Sequence, residues 1–260
     1  MAAPETRPHS DNPPAPATLP GWDADRQALV LSEARDLSRL GLRPRSSETP
    51  DRMAVLSALE SFNRKERFFV ICAALDLPAL HLGPNFRRRM EIAFGVTVTD
   101  PVFVAIDYHQ DWLMAALRLA HGEITEQQPN PDPTGRITGN QEDVDLLLAF
   151  CGEGTTHLVM LEAKAETGFA SKQMDSKAMH LAGIFGHHGD RFRLVTPHFG
   201  LLSPKPPVRL GYTGWPAWMA PNGTPIWLQL DVPKQRRRVF RCNAAGLRQK
   251  IGGHFIITSG

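Results

Sequence analysis

Two apolar segments, DLLLAFC (145–151) and HLVMLEAKA (157–165), separated only by GEGTT, constrain this chain more than any other feature. Apolar runs of this length joined by a small, polar, glycine-bearing turn read as a β-hairpin. With the turn centred between Glu153 and Gly154, Asp145 faces Glu162 and Asp143 faces Lys164. Residues two apart share one face of a strand, so Glu162 and Lys164 project together. Directly opposed side chains have Cβ atoms roughly 4.5–5.5 Å apart. Asp145, Glu162 and Lys164 are therefore expected to meet at one end of the hairpin.

Two carboxylates brought this close repel unless a cation or proton intervenes. A hard divalent cation with oxygen ligands, magnesium or manganese, is the natural resolution. Such an ion polarises a phosphoryl oxygen and lowers the pKa of a bound water, while a neighbouring lysine orients that water and stabilises charge building on phosphorus. The constellation suits phosphodiester hydrolysis better than acyl transfer, because no Ser/His/Asp or Cys/His arrangement is evident. Asp145, the spacing to Glu162-Ala163-Lys164, the apolar strands around them and the helical pattern that follows resemble the PD-(D/E)XK nuclease superfamily over about residues 110–200. That group includes restriction endonucleases, Holliday-junction resolvases and repair exonucleases.

The resemblance implies a restriction-endonuclease-like α/β fold, a mixed β-sheet flanked by helices with the active hairpin at one edge of a cleft. It implies that Asp145 and Glu162 bind magnesium (or manganese), that Lys164 assists the attacking water, and that Gln173 on the next helix supports the site. The substrate implied is DNA in preference to RNA. Double-strand cleavage calls for two active sites, which makes a second copy of the chain, as a homodimer, a candidate partner. In this family a helix before the hairpin often supplies a further glutamate; the helix over 111–121 has none, and Glu91 on an earlier helix stands in, with Glu142 as the alternative. No proline precedes Asp145, a position that varies within the family. The acidic-x-Lys triplet recurs at Asp175-Ser176-Lys177, but there it falls in a helical pattern, whereas at 162–164 it ends an apolar strand.

The chain carries a net charge of only +2, so any nucleic-acid-binding surface must be local. Arg236, Arg237 and Arg238 in KQRRRVFR, with Lys172, are the candidate phosphate contacts; Arg87-Arg88-Arg89 forms a second basic patch. Three widely spaced cysteines form no disulfide framework or C-x-x-C pair, which points to a reducing, cytoplasmic setting. No apolar run approaches the ~20 residues of a membrane helix, so no membrane partner is expected.

Residues 1–24 contain six prolines and read as a disordered leader. Residues 25–125 read as a mainly helical region, with helical patterns in DADRQALVLSEARDLSRLGL, SSETPDRMAVLSALESF, PNFRRRMEIAFG and DWLMAALRLAHG. Within it, RFFVICAALDL reads as a buried element, VTVTDPVFVAIDYH shows β-branched alternation, Asp111 is a candidate helix cap and Gly122 a candidate stop. Residues 126–200 form the nuclease-like core, in which the hairpin is followed by a helix (KQMDSKAMHLAGIFG) and a strand (RFRLVTPHF). Residues 201–260 read as a β-rich extension that either widens the sheet or forms an appendage.

Two other clusters compete for attention. His180, His187, His188 and His198 gather in sequence but lack a zinc-type spacing. Trp215, Trp218 and Trp227 could stack on bases, although packing is their commoner role. The rival readings are a nucleic-acid-binding protein that keeps the nuclease fold without cutting, and a metal-dependent hydrolase of a smaller phosphoester.

Overall fold

The computed structural model describes residues 52–132, 135–139, 142–233 and 236–259. The expected leader and the helix over DADRQALVLSEARDLSRLGL lie outside the described residues. Three helices come first: α1 (Arg52–Phe62), α2 (Glu66–Ala74) and α3 (Pro84–Phe94). Proline opens α3, where its missing N–H costs nothing, and Gly95 closes it in the left-handed conformation. RFFVICAALDL does form a helix, but not a buried one: α2 buries only Cys72 and exposes Phe69, Val70 and Ile71. That run is apolar on every side, so its sequence carries no sign of which face turns outward.

Strand β1 (Phe103–His109) leads directly into α4 (Gln110–Ala120), followed by the hairpin β2 (Asp143–Gly152) and β3 (Thr155–Ala163). Helix α5 (Ser171–Phe185) connects β3 to β4 (Val195–Ser203), and β5 (Ile226–Gln229) completes a five-stranded sheet in the order β1-β2-β3-β4-β5. The first two pairings are antiparallel and the last two parallel, so the fold is α/β with a mixed sheet flanked by helices. The sheet draws β1 from the segment expected to be helical and β5 from the C-terminal segment. The rest of that segment forms a separate antiparallel ribbon, β6 (Arg237–Cys242) with β7 (His254–Ser259). Among the described residues no helix is long and apolar enough to cross a membrane.

Strand alternation divides the core in two. Leu147, Ala149, Leu158 and Met160 face the side covered by α1, α4 and α5. Leu148, Phe150, Val159 and Leu161 face the other side, with Met90 of α3. On the first side the buried Tyr108 hydroxyl donates to the Leu59 carbonyl of α1 at 2.9 Å. Asp111 does not cap α4: His109 does, its Nδ1 accepting from the Asp111 N–H at 3.1 Å. The Asp111 carboxylate instead accepts from the N–H groups of Thr138 and Gly139, tying the following loop to the helix start.

The hairpin has the register expected from its turn, running from Gly152 opposite Thr155 to Leu146 opposite Leu161. Glu153 and Gly154 both take positive φ, 47° and 81°, as a two-residue turn matched to the strand twist requires. A Cβ at Gly154 would meet open space, so substitution there tests backbone conformation alone. Gly154→Val is expected to lower stability by about 1–2 kcal/mol in urea unfolding. A change below the error of the measurement would show that the turn does not fix the register.

Candidate active site

Both strand ladders lapse at the same residue, Asp145. Pairing between β1 and β2 runs from Phe103–Ala149 to Ile106–Leu146 and resumes at Tyr108–Val144; the pair passed over is Asp107 and Asp145. Asp107 stands in the left-handed region at φ 49°, a conformation aspartate tolerates better than most side chains, and its carboxylate meets Arg67 at 2.6 Å. Between β2 and β3 the ladder ends at Leu146–Leu161. Beyond that point β2 continues against β1 and β3 against β4, so the two strands of the hairpin fork. In the fork the Asp145 carboxylate accepts the Ala163 N–H at 2.6 Å, in place of the missing ladder bond.

Glu162 lies on the other arm of the fork and is only 2% exposed. It continues the Leu158–Met160 row, on the side of the sheet that α5 covers. Burying a charged carboxylate is costly unless it is paired and hydrogen-bonded. Glu162 has two partners: Lys164 reaches Oε1 at 2.8 Å, and Lys177 of α5 meets Oε2. Lys177 is itself 5% exposed and also donates to the Asp143 carbonyl at 2.6 Å, so one ammonium binds the helix to both arms of the fork. Burial raises the Asp145 pKa and the nearby Glu162 charge adds to the rise, while the Ala163 hydrogen bond and the two lysines oppose it.

Asp145, Glu162 and Lys164 are thus brought together as the sequence suggested. Lys177 is the member the sequence did not single out. It ends Asp175-Ser176-Lys177, the triplet set aside because it lies on a helix, and that helix is what carries it to Glu162. Asp143 does not face Lys164; the fork separates them, and its carboxylate pairs with Lys65 at 2.5 Å. Gln173 is exposed on the first turn of α5, one helical turn before Lys177, and Lys172 beside it is exposed too.

Glu91 does not join the site. Its carboxylate accepts the Val98 N–H at 2.9 Å and faces Arg87 at 3.6 Å, which places it in the structure that closes α3. Glu142 accepts a hydrogen bond from Ser176 of α5 at 3.0 Å, and His180 Nδ1 lies 2.9 Å from its other oxygen. Asp145 and Glu162 are left as the two carboxylates at the fork; among the described residues no group of three or more acidic, histidine or cysteine side chains could hold a metal. A cavity of about 740 Å³, lined by His109, Asp111, Trp112 and Ile137 among others, opens beside α4 rather than at the fork.

The basic patches divide by strand alternation. Arg236 bonds to Glu166 at 3.0 Å and to the Ala165 carbonyl at 3.2 Å, one residue beyond Lys164, and Arg238 reaches Glu166 at 3.6 Å. Arg237 lies between them in sequence and is exposed. Arg87 and Arg89 are occupied locally, at Asp100 and Asp231. The tryptophans pack: Trp215, Trp218 and Trp227 donate to Asp175, Gly186 and Ser203.

The histidines do not gather as their sequence positions suggested. His180 turns to Glu142, His187 and His188 are exposed, and His198 stacks on His157 with their ring nitrogens 3.0 Å apart. Burial lowers the pKa of both stacked rings, that of His198 to about 4, where His157 adds its repulsion.

No protein-family model matches this chain, and neither a curated protein nor a solved structure matches it.

Two stability measurements follow from this geometry. Lys177→Met leaves a buried Glu162 with one ammonium in place of two and is expected to cost about 2–3 kcal/mol. Glu162→Gln in the same chain should recover part of that loss, and a strictly additive double variant would contradict the pairing. For His198 the native state resists a proton that the unfolded chain accepts, so stability falls as pH drops from about 6.5 toward 4. The loss is expected to be on the order of 2 kcal/mol, and His198→Gln should flatten the profile over that window. Equal slopes for the two proteins would remove His198 from the account.

Proposed function

We propose that this protein is a magnesium-dependent nuclease of the PD-(D/E)XK type, with a restriction-endonuclease-like fold, that hydrolyses phosphodiester bonds in DNA. The observation that carries this reading is the fork: Asp145 and Glu162 on its two arms, with Lys164 against Glu162. The five-stranded mixed sheet, with helix α5 after the hairpin, is compatible with that fold.

Asp145 and Glu162 would hold the cation, and the donor set fits: magnesium takes one or two carboxylates and completes its shell with water and phosphate oxygens. When bound, the ion supplies Lewis acidity toward a phosphoryl oxygen and a water of lowered pKa. The protein's own part follows from burial and charge. Lys177, buried and fixed to the Asp143 carbonyl, stays paired with Glu162 whatever Lys164 does. Lys164 is more exposed, and on leaving Oε1 it can hold the attacking water and meet charge developing on phosphorus. Gln173, exposed one turn before Lys177, would support the site.

A proton competes with the cation for Asp145. Because burial holds its pKa above the usual aspartate value, affinity for magnesium should begin to fall, as pH drops, at a higher pH than for an ordinary carboxylate. Asp145→Asn keeps an acceptor for the Ala163 N–H and removes the repulsion with Glu162. Its expected outcome is a raised thermal midpoint at neutral pH together with loss of magnesium binding.

A second reading rests on a specific feature: both Glu162 oxygens are already held by ammonium groups, which balances the buried charge without a cation. On that reading the chain binds nucleic acid without cutting it. One assay separates the two: supercoiled, linear, branched and single-stranded DNA, each with magnesium, manganese or chelator. Metal-dependent cleavage is expected, falling on the order of 10²–10³-fold in Glu162→Ala and Lys164→Ala. Cleavage that survived both substitutions would reject the site, and failure to cut any substrate would favour binding without catalysis.

A further inference from the structure

Residues 236–259 carry six cationic side chains and no acidic one, on a chain whose net charge is only +2. This concentration falls on the β6–β7 ribbon, and the strand period of two sorts it. One set, Arg236 and Arg238, is consumed by Glu166. The opposite set points away. Its cross-strand pairs are Arg237 with Ser259, Val239 with Ile257, and Arg241 with Phe255. Val239 is 66% exposed, Ile257 54% and Phe255 68%, so an apolar patch lies open between two arginines. Among the described residues the Arg237 side chain has no acidic partner, and Arg241 meets only the Gly252 carbonyl, at 3.4 Å.

We infer that this outward face of the ribbon docks duplex DNA, with Arg237 and Arg241 on phosphates and Val239, Ile257 and Phe255 pressed into the groove between them. The inference rests on the nuclease reading and names the form of substrate that reading leaves open. Uncompensated positive charge selects a polyanion. Four residue steps along the strand separate the two arginines by roughly 13–14 Å, enough to reach phosphates on both sides of a groove. Aliphatic side chains cannot stack on splayed bases as aromatic ones do, and only one of the three apolar residues is aromatic, which disfavours a single-strand platform. Exposed Val, Ile and Phe instead suit a wedge that unstacks a base step and bends a duplex. The inward face ties the ribbon to the chain just past the fork, with Arg236 donating to the carbonyl of Ala165, next to Lys164.

The test uses the full chain and a 30-base-pair duplex labelled at both ends, with chelator present so that binding is read without cleavage. Arg237→Gln with Arg241→Gln should weaken binding on the order of tenfold and reduce the slope of log affinity against log salt by about 1.8. Phe255→Ser with Ile257→Ser should leave that slope unchanged and reduce the bend seen by energy transfer between the ends. All four positions are exposed, and an unchanged far-UV spectrum confirms that the variants fold. Wild-type affinity, slope and bend in both variants would overturn the inference. So would tighter binding to a single strand of the same length. A dimer that Phe255→Ser with Ile257→Ser dissociates, with DNA affinity per chain unchanged, would assign the face to a second copy and overturn it too. Ribbon variants that lose binding in a protein that never cuts with magnesium would reject the nuclease reading and keep the ribbon; normal cutting with unaltered binding would do the reverse.

Discussion

The structure around the fork depends on one buried carboxylate, Glu162, and the two ammonium groups paired with it. At 2% exposure its charge has little water to solvate it, and the two ammonium groups take the place of that water. Lys164 comes from the same strand, so its approach needs only the alternation of β3. Lys177 comes from α5, and its reach to Glu162 and to the Asp143 carbonyl locks that helix against both arms of the hairpin. Ser176 of the same helix donates to Glu142, a residue before β2, with His180 close to the other oxygen, and so reinforces the seat. Position of helix, register of hairpin and charge of site are therefore one coupled arrangement.

Much of this was legible in the sequence because two of its determinants are short-range. A two-residue turn with Gly154 and a strand period of two fix which residues oppose, and the hairpin has the register those rules give. The same rules failed just past Leu146–Leu161. Extrapolating the ladder placed Asp143 opposite Lys164, but the fork sends Asp143 to Lys65, 78 residues away in sequence. No local pattern announces where a ladder stops. Lys177 was hidden for a related reason: its triplet resembles the strand triplet, and only the packing of α5 on the sheet reveals its part. Glu91 illustrates the opposite error, a carboxylate of suitable type whose acceptor capacity is used by Val98 and Arg87.

The basic run near the C-terminus shows how a sequence cluster can hide two roles. Consecutive arginines read as one patch, yet a strand sends neighbours to opposite faces. Arg236 and Arg238 fasten the ribbon to Glu166, while Arg237 and Arg241 face outward beside an exposed apolar patch. Under the proposed function these halves serve one purpose, since the attachment point follows Lys164 by two residues. Apolar helix α2 carries the reverse lesson: its sequence suggested burial, and most of its large side chains are exposed.

The central claim is that Asp145 and Glu162 form a divalent-cation site whose occupation frees Lys164. Anomalous diffraction from crystals soaked in manganese tests it most directly. One peak is expected in the fork, ~2.1 Å from an oxygen of each carboxylate, with the Lys164 ammonium withdrawn from Glu162 and Lys177 still in place. A well-ordered fork with no peak, and with Lys164 still on Glu162, would contradict it.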